Sequence, residues 1–377
     1  MTLITDLIRP DILRSSAYHI ADVPQNCVKL DAMESPYDFP PDMQNALGER
    51  LKTAPIRLYP NIAADDFIPK LKAAFHIPEQ AAVAVGNGSD ELIQFITLLL
   101  AKPNSKVLAI EPTFVMYRRN AELFGMQYVS VACNDDLTLN LDAVLRAIDE
   151  EKPDLIFIAY PNNPTGTRYP KNEVEQIIQA ATGIVVIDEA YGAFSSDSFL
   201  SQAGEIDNLL VLRTFSKIGF AGLRIGYVSG SLKIINELNK ILPPYNMNQL
   251  GLTAAKFALE NLDWINNNIN ILKMEREIAF AKLEDIKGIK VYPSEANFLT
   301  IRTSNANECF DLLLQNGFLI KNLSAAHPLL NNCVRITIGK PEDNAKWLAI
   351  LQKAYGWFWL HFSFYLPKCF GKCLINP

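Results

Sequence analysis

A chain of 377 residues, 49% of them hydrophobic, is long enough for one large α/β domain or two domains, and excludes a small disulfide-built scaffold. Its net charge of −6 carries no basic block, which argues against a general nucleic-acid binder, and its four scattered histidines form no zinc-spaced pair, so no metal site is expected. Six scattered cysteines read as reduced cytoplasmic thiols; the start has no apolar core suited to a signal peptide, and no run is long enough to span a bilayer.

In chain order, residues 1–41 read as an arm, with a short helical start and regular structure then broken by Pro24, Pro36, Pro40 and Pro41. A helix is predicted over 42–51, an irregular segment at Arg57-Leu58-Tyr59-Pro60, and a helix over 65–75. From residue 82 strand and helix alternate. Strands are predicted at 83–85, 106–110, 155–159, 184–187 and 209–212, with helices at 92–100, 117–124 and 173–181. Apolar strands alternating with helices predict an α/β fold whose mostly parallel sheet is covered on both faces. After Tyr227 the pattern changes. Helical stretches at 232–242, 249–283, 309–315 and 341–355, with short strands at 290–292, 298–302, 319–321 and 334–338, predict a smaller α+β domain completed by the arm. The expected division is 1–41 arm, 42–240 large domain, 241–356 small domain and 357–377 an atypical aromatic tail.

Ligands of open α/β sheets bind beyond the carboxyl ends of the strands, and four informative stretches stand there. Gly86-Asn87-Gly88-Ser89-Asp90 allows a close turn into a helix N-terminus suited to a phosphate; it is equally a plain turn capped by Ser89 or Asp90. Tyr160-Pro161-Asn162-Asn163-Pro164-Thr165-Gly166 puts an amide at a strand end, or is an ordinary turn. Asp188 ends an all-apolar strand, where an acid is costly to bury without a cationic partner; an ordinary helix N-cap is the alternative. Lys217 lies between the apolar run at 209–212 and a segment of small and apolar residues. Desolvated beside a second cation, for which Arg224 is the candidate, it would be a nucleophilic amine; alone it could be a snorkelling structural lysine. Thr214, Ser216 and Arg224 could grip a phosphate near it. Phosphate cradle, amide, carboxylate and amine on one sheet are together far more specific than any one of them, and they fit pyridoxal phosphate.

At these residues the sequence resembles the fold type I pyridoxal-phosphate aminotransferases, and within them the histidinol-phosphate aminotransferases. The PNNPTG loop is Pro161 to Gly166 and the DEAY element is Asp188 to Tyr191. The RT-x-SK element with its AGLR-x-G sequel is Arg213 to Gly226, and the G-x-DE turn is Gly88 to Glu91. Arg57 to Pro60 stands for the RYP segment and Arg335 to Gly339 for the late arginine segment, so the match runs in order over about residues 5–355. The resemblance implies a mostly parallel seven-stranded sheet between helices, with a smaller α+β domain. It implies that Lys217 is the Schiff-base lysine and proton shuttle, Asp188 the partner of the ring nitrogen, and Asn163 and Tyr191 the partners of the ring oxygen. Phe114 would stack on the ring, a plain core aromatic being the alternative, and Ser89, Asp90, Thr214, Ser216 and Arg224 would surround the cofactor phosphate.

Tyr59 would reach the cofactor phosphate of a neighbouring subunit, implying a homodimer with shared active sites. Arg335 would meet the substrate phosphate and, in turn, a carboxylate, while Tyr18 would help close that site. Read on their own, Arg335 could be an edge-strand residue and Tyr18 an arm aromatic that only packs. The implied reaction is a two-stage transamination between the histidinol phosphate and imidazole-acetol phosphate pair and the glutamate and 2-oxoglutarate pair. An aromatic amino acid transaminase and a threonine-phosphate decarboxylase-like lyase are the alternatives on the same residues; a catalytically silent scaffold is a third, against which the intact Lys217, Asp188 and Asn163 speak. Lys321 stands where many of these aminotransferases carry arginine, so charge is kept and the bidentate fork lost. The aromatic tail from Trp357 to Leu366 has no counterpart, and Cys369 and Cys373 read as incidental.

Overall fold

The computed structural model describes residues 4–17, 23–61 and 65–356. The arm holds helix α1 (Pro10–Arg14) and strand β1 (Val28–Lys29), followed by helices α2 (Pro41–Lys52) and α3 (Phe67–Phe75). The alternating region runs β2 (Ala82–Gly86), α4 (Ser89–Leu100), β3 (Lys106–Glu111), α5 (Met116–Leu123), β4 (Gln127–Ala132), α6 (Leu141–Glu151), β5 (Leu155–Ala159), α7 (Lys171–Ala180), β6 (Ile184–Asp188), β7 (Leu209–Thr214), β8 (Gly226–Gly230) and α8 (Leu232–Ile241). The last part holds α9 (Gln249–Glu260), α10 (Leu262–Glu284), β9 (Lys290–Val291), β10 (Phe298–Arg302), α11 (Ala306–Gln315), β11 (Phe318–Leu319), β12 (Lys321–Asn322), β13 (Cys333–Thr337) and α12 (Pro341–Gly356).

The expected seven-stranded sheet is present, in the order β2-β8-β7-β6-β5-β3-β4. β5 is buried along its whole length, which explains its unbroken apolar sequence. Alternate residues feed opposite faces. Ile156 and Ile158 join Val144 of α6 and Ile177 of α7, while Leu155 and Phe157 join Ile93 of α4, Tyr117 of α5 and Leu238 of α8. β8 alone runs against its neighbours, antiparallel to both β7 and β2. The chain enters it from β7 through a segment of two single 3-10 turns, Ser216–Ile218 and Ala221–Leu223, instead of a crossover helix. That segment carries Lys217, which is therefore held between two hydrogen-bonded strands.

A second sheet, ordered β12-β13-β10-β9, is antiparallel throughout. The arm packs beside it: β1 pairs in parallel with β11 in a separate two-stranded sheet, and the Thr337 N–H on β13 donates to the Leu30 carbonyl at 3.0 Å. β10 and the loop before it also clasp the Asn163 turn. The Glu295 N–H donates to the Gly166 carbonyl at 2.9 Å, and Thr300 Oγ1 donates to the Pro164 carbonyl. Burial pushes the Glu295 carboxyl up, but the Ser196 N–H, Arg168 and the Ser195 hydroxyl outweigh it and bring it to about 2.

Four features differ from the sequence expectation. β4 and α6 fall where no element was predicted; β4 is a half-exposed edge strand, so it lacks the apolar run that betrays its neighbours. The helical stretch 249–283 is two helices meeting at Asn261. The strand predicted at 319–321 divides between two sheets as β11 and β12. β8, rich in glycine and serine, was not expected as a strand. The tail 357–377, with Cys369 and Cys373, lies outside the described residues.

Candidate active site

The carboxyl ends of β2, β5, β6 and β7 converge on one cavity of about 700 Å³. At the first, Gly88 caps α4 with φ of 89°, and Ser89 opens the helix, so neither Ser89 nor Asp90 is the N-cap. The start of β8 presses on this turn: a Cβ on Gly226 would lie 2.5 Å from the Ser89 nitrogen, and one on Gly88 would lie 2.5 Å from Arg224 Nη2. Backbone atoms close the space at Gly226, and at Gly88 the positive φ, more than the guanidinium, calls for glycine. Arg224 pairs with Asp90 at 3.1 Å, while the Ser216 N–H donates to Thr214 Oγ1 at 3.1 Å. Helix N-terminus, hydroxyls and guanidinium together form an anion cradle.

Asp188 ends β6 and caps no helix. It is 4% exposed. Burial pushes its carboxyl up to about 6, against the pull of a hydrogen bond from Tyr117 and one from the Ala190 N–H. The Tyr117 hydroxyl donates to Oδ2 at 2.7 Å and the Ala190 N–H to Oδ1 at 3.0 Å. Both donors are neutral, and among the described residues no cation pairs with this acid, so burial is only partly offset. Tyr191 is buried beside it, edge-on to Phe298. Phe114 lines the cavity and meets Tyr117 edge-on at 5.7 Å.

The neighbouring Asn162 ties its loop down, donating to the Pro112 carbonyl at 2.9 Å and accepting from Thr113 Oγ1 at 2.8 Å. Asn163 is thereby turned into the cavity, where its Oδ1 accepts from Arg335 Nη1 at 2.5 Å. Arg335 Nη2 donates to the Asp31 carbonyl at 2.7 Å. Arg335 lies on β13, between β10 and β12, and is 7% exposed, so it is neither at an edge nor facing water. Its partner across the ladder is Lys321, which also lines the cavity.

Lys217 donates to the Ala32 carbonyl at 3.1 Å and lies 5.7 Å from the centre of the Tyr191 ring. Burial, then the charge of Arg335, push its amine down to about 8. Arg335 therefore replaces Arg224 as the second cation: Arg224 is engaged by Asp90 at the start of α4, whereas Arg335 approaches from the other sheet. The sign is testable. Below pH 8 both folded and unfolded chains carry the lysine proton, and the folded state bears the full cost of burying it. Between pH 8 and about 10.5 only the folded chain releases it, so stability rises with pH, by up to ~3 kcal/mol for this residue. Urea unfolding of the cofactor-free chain should show that rise beyond the rise seen in Lys217→Met; an equal response in both proteins would contradict it.

The cavity brings together Ser89, Asp90, Phe114, Asn163, Asp188, Tyr191, Thr214, Ser216, Lys217, Arg224, Lys321 and Arg335, all expected from sequence. Tyr59 is not among them: it is 79% exposed and stacks on Tyr245 at 4.6 Å. Tyr18 lies outside the described residues. Sequence reasoning missed Tyr117 and the arm residues Lys29 and Glu34, which also line the cavity and pair with each other at 2.5 Å. A buried acid must find donors, and that requirement was the available signal for Tyr117. Among the described residues no cluster of metal-binding side chains occurs.

The residues fit pyridoxal phosphate on the chain's own chemistry. An anion cradle, a buried carboxylate without a cation and a desolvated amine match its phosphate, ring nitrogen and aldehyde. The family model described as aminotransferase class I and II matches residues 25–351. A histidinol-phosphate aminotransferase of Neisseria meningitidis is 55% identical over 358 residues, covering 94% of this chain and 98% of that protein. One from Chromobacterium violaceum is 47% identical over 352 residues, covering 93% and 99%. A solved histidinol-phosphate aminotransferase from Sinorhizobium meliloti, in complex with pyridoxal-5'-phosphate, has a TM-score of 0.80 at 23% identity, covering 93% of this chain and 98% of its own; at that identity it speaks for the fold alone.

Proposed function

The chain belongs to the aminotransferase class I and II family, and we propose that it exchanges an amino group between the histidinol phosphate and imidazole-acetol phosphate pair and the glutamate and 2-oxoglutarate pair, with pyridoxal phosphate as cofactor. The observation that carries the substrate is the cation pair Lys321 and Arg335, directly opposed across β12 and β13 and both facing the cavity. Like charges in that position repel, and a phosphate or carboxylate between them turns the repulsion into binding.

When bound, the cofactor supplies an electron sink and an aldehyde for the lysine. Lys217 Nζ would hold it, its low proton affinity favouring the neutral amine that such a bond requires. The same Nζ would carry a proton from and back to the amine-bearing carbon of the substrate. Asp188 keeps the ring nitrogen protonated. Asn163, whose Oδ1 is already given to Arg335, offers its amide nitrogen to the ring oxygen, as Tyr191 offers its hydroxyl. Phe114 packs on the ring, and Ser89, Asp90, Thr214, Ser216 and Arg224 hold the cofactor phosphate by backbone or side chain. Arg335 and Lys321 bind the substrate anion.

The reading includes a homodimer in which Tyr59, exposed in the single chain, contacts the partner's cofactor phosphate. It also includes the division at residues 41, 240 and 356, and a cytoplasmic enzyme; among the described residues no helix is long and apolar enough to cross a membrane.

The test is a pair of half-reactions followed by absorbance. Histidinol phosphate and glutamate should each convert the cofactor. Arg335→Ala should lower kcat/KM for both about 10²-fold or more. Lys321→Ala should act mainly on the phosphate substrate. Conversion by phenylalanine without conversion by histidinol phosphate, or release of CO2 without a glutamate half-reaction, would overturn the assignment.

A further inference from the structure

We infer that Tyr117 is a positioning residue for the reaction, holding the Asp188 carboxylate charged and aimed through its phenol O–H; this rests on Asp188 as the partner of the cofactor ring nitrogen. Tyr117 is fully buried in the first turn of α5. Its ring lies flat on Phe157, with centroids 4.5 Å apart and planes 1° apart, and meets Phe114 edge-on. Packed on these two rings, the phenol has one place to point, and it points at Asp188 Oδ2 at 2.7 Å.

The chemistry of the contact runs one way. Burial, with the neighbouring carboxylate, raises the proton affinity of Tyr117 far above that of a free phenol, so it stays a donor. A donor to a carboxylate favours the charged form, and the pyridinium needs that form. Titratable groups bearing on Asp188 come from three places: Tyr117 on α5, Asp90 on α4, and Glu189 and Tyr191 beside it. Asp90 and Glu189 push its proton affinity up; Tyr117 is the side chain among them that donates a hydrogen bond to it. With Oδ1 held by the Ala190 N–H, the two bonds fix the carboxylate plane and leave lone pairs for a third donor. The same tyrosine buttresses Phe114, so it couples the carboxylate at the ring nitrogen to the aromatic at the ring face.

The test separates the hydroxyl from the packing. The full chain, cofactor-free and labelled with 13C-carboxyl aspartate, is titrated by infrared difference spectroscopy, with Asp188→Asn as the blank. Tyr117→Phe should raise the Asp188 midpoint by about one to two pH units. Phe157→Leu, which removes the stacking and keeps the hydroxyl, should raise it by much less. Should Tyr117→Phe not accumulate, 3-fluorotyrosine placed at position 117 strengthens the donor and should move the midpoint down. In the loaded enzyme Tyr117→Phe should lower kcat about tenfold and leave the KM for glutamate nearly unchanged. An unmoved midpoint, an equal shift in Phe157→Leu, or a shifted midpoint with unchanged kcat would each overturn the positioning role. If Asp188→Asn also leaves kcat unchanged, the reading of Asp188 itself has failed.

Discussion

Lys217→Ala is expected to lower kcat/KM by at least about 10⁴-fold, because one amine serves as both the covalent anchor and the proton carrier. Its surroundings leave no substitute. Arg335 is a guanidinium bonded to Asn163 and the Asp31 carbonyl, Lys321 is exposed and sits on the other sheet, and Lys29 is engaged by Asp31 and Glu34. The check is independent of turnover. Borohydride reduction of the loaded wild type, followed by peptide mass analysis, should find the cofactor mass on the peptide carrying Lys217, and none on any peptide of Lys217→Ala. A cofactor retained covalently on another lysine in the variant, or a loss of activity below about tenfold, would remove Lys217 from its role.

The site was more legible in the sequence than the scaffold around it, for physical reasons. Asp90, Asn163, Asp188 and Lys217 follow or end β2, β5, β6 and β7, where an apolar run stops and a polar residue begins, so a chain-local signal marks them; Phe114, Lys321 and Arg335 carry no such signal and came from the family resemblance. Contacts made across the fold leave no such mark. The cation beside Lys217 was sought in Arg224, close in sequence, and is Arg335, brought from the second sheet. Tyr117 looked like any helical aromatic until the sheet placed its hydroxyl against Asp188, 71 positions along the chain. The Lys29–Glu34 pair came into view only because β1 pairs with β11 and draws the arm over the cavity. β4 escaped notice for the opposite reason: an edge strand half open to water needs little apolar sequence.

Asp188→Asn should cut kcat by about 10³-fold while making the cofactor-free chain more stable at neutral pH. The loss follows from charge. The asparagine oxygen can still accept from Tyr117, but a neutral amide does not hold a proton on the ring nitrogen, and an electron sink without that proton is weak. The gain follows from burial. The folded carboxyl titrates at about 6, above its ordinary 3.8, so the folded state holds that proton more tightly than the unfolded chain does. That advantage is complete below pH 3.8 and is lost as pH rises through 6; the wild type therefore gives up as much as ~3 kcal/mol across this window and Asp188→Asn does not. Unfolding midpoints of the two cofactor-free proteins at pH 4 and pH 7 read the difference directly. The variant should gain on the wild type as pH rises, and saturating pyridoxal phosphate should reverse the order by supplying the missing cation to the wild type alone. A variant that is less stable than the wild type at pH 7 without cofactor would show that the Asp188 charge is already compensated within the chain, and the case for a ring nitrogen as its partner would fall with it.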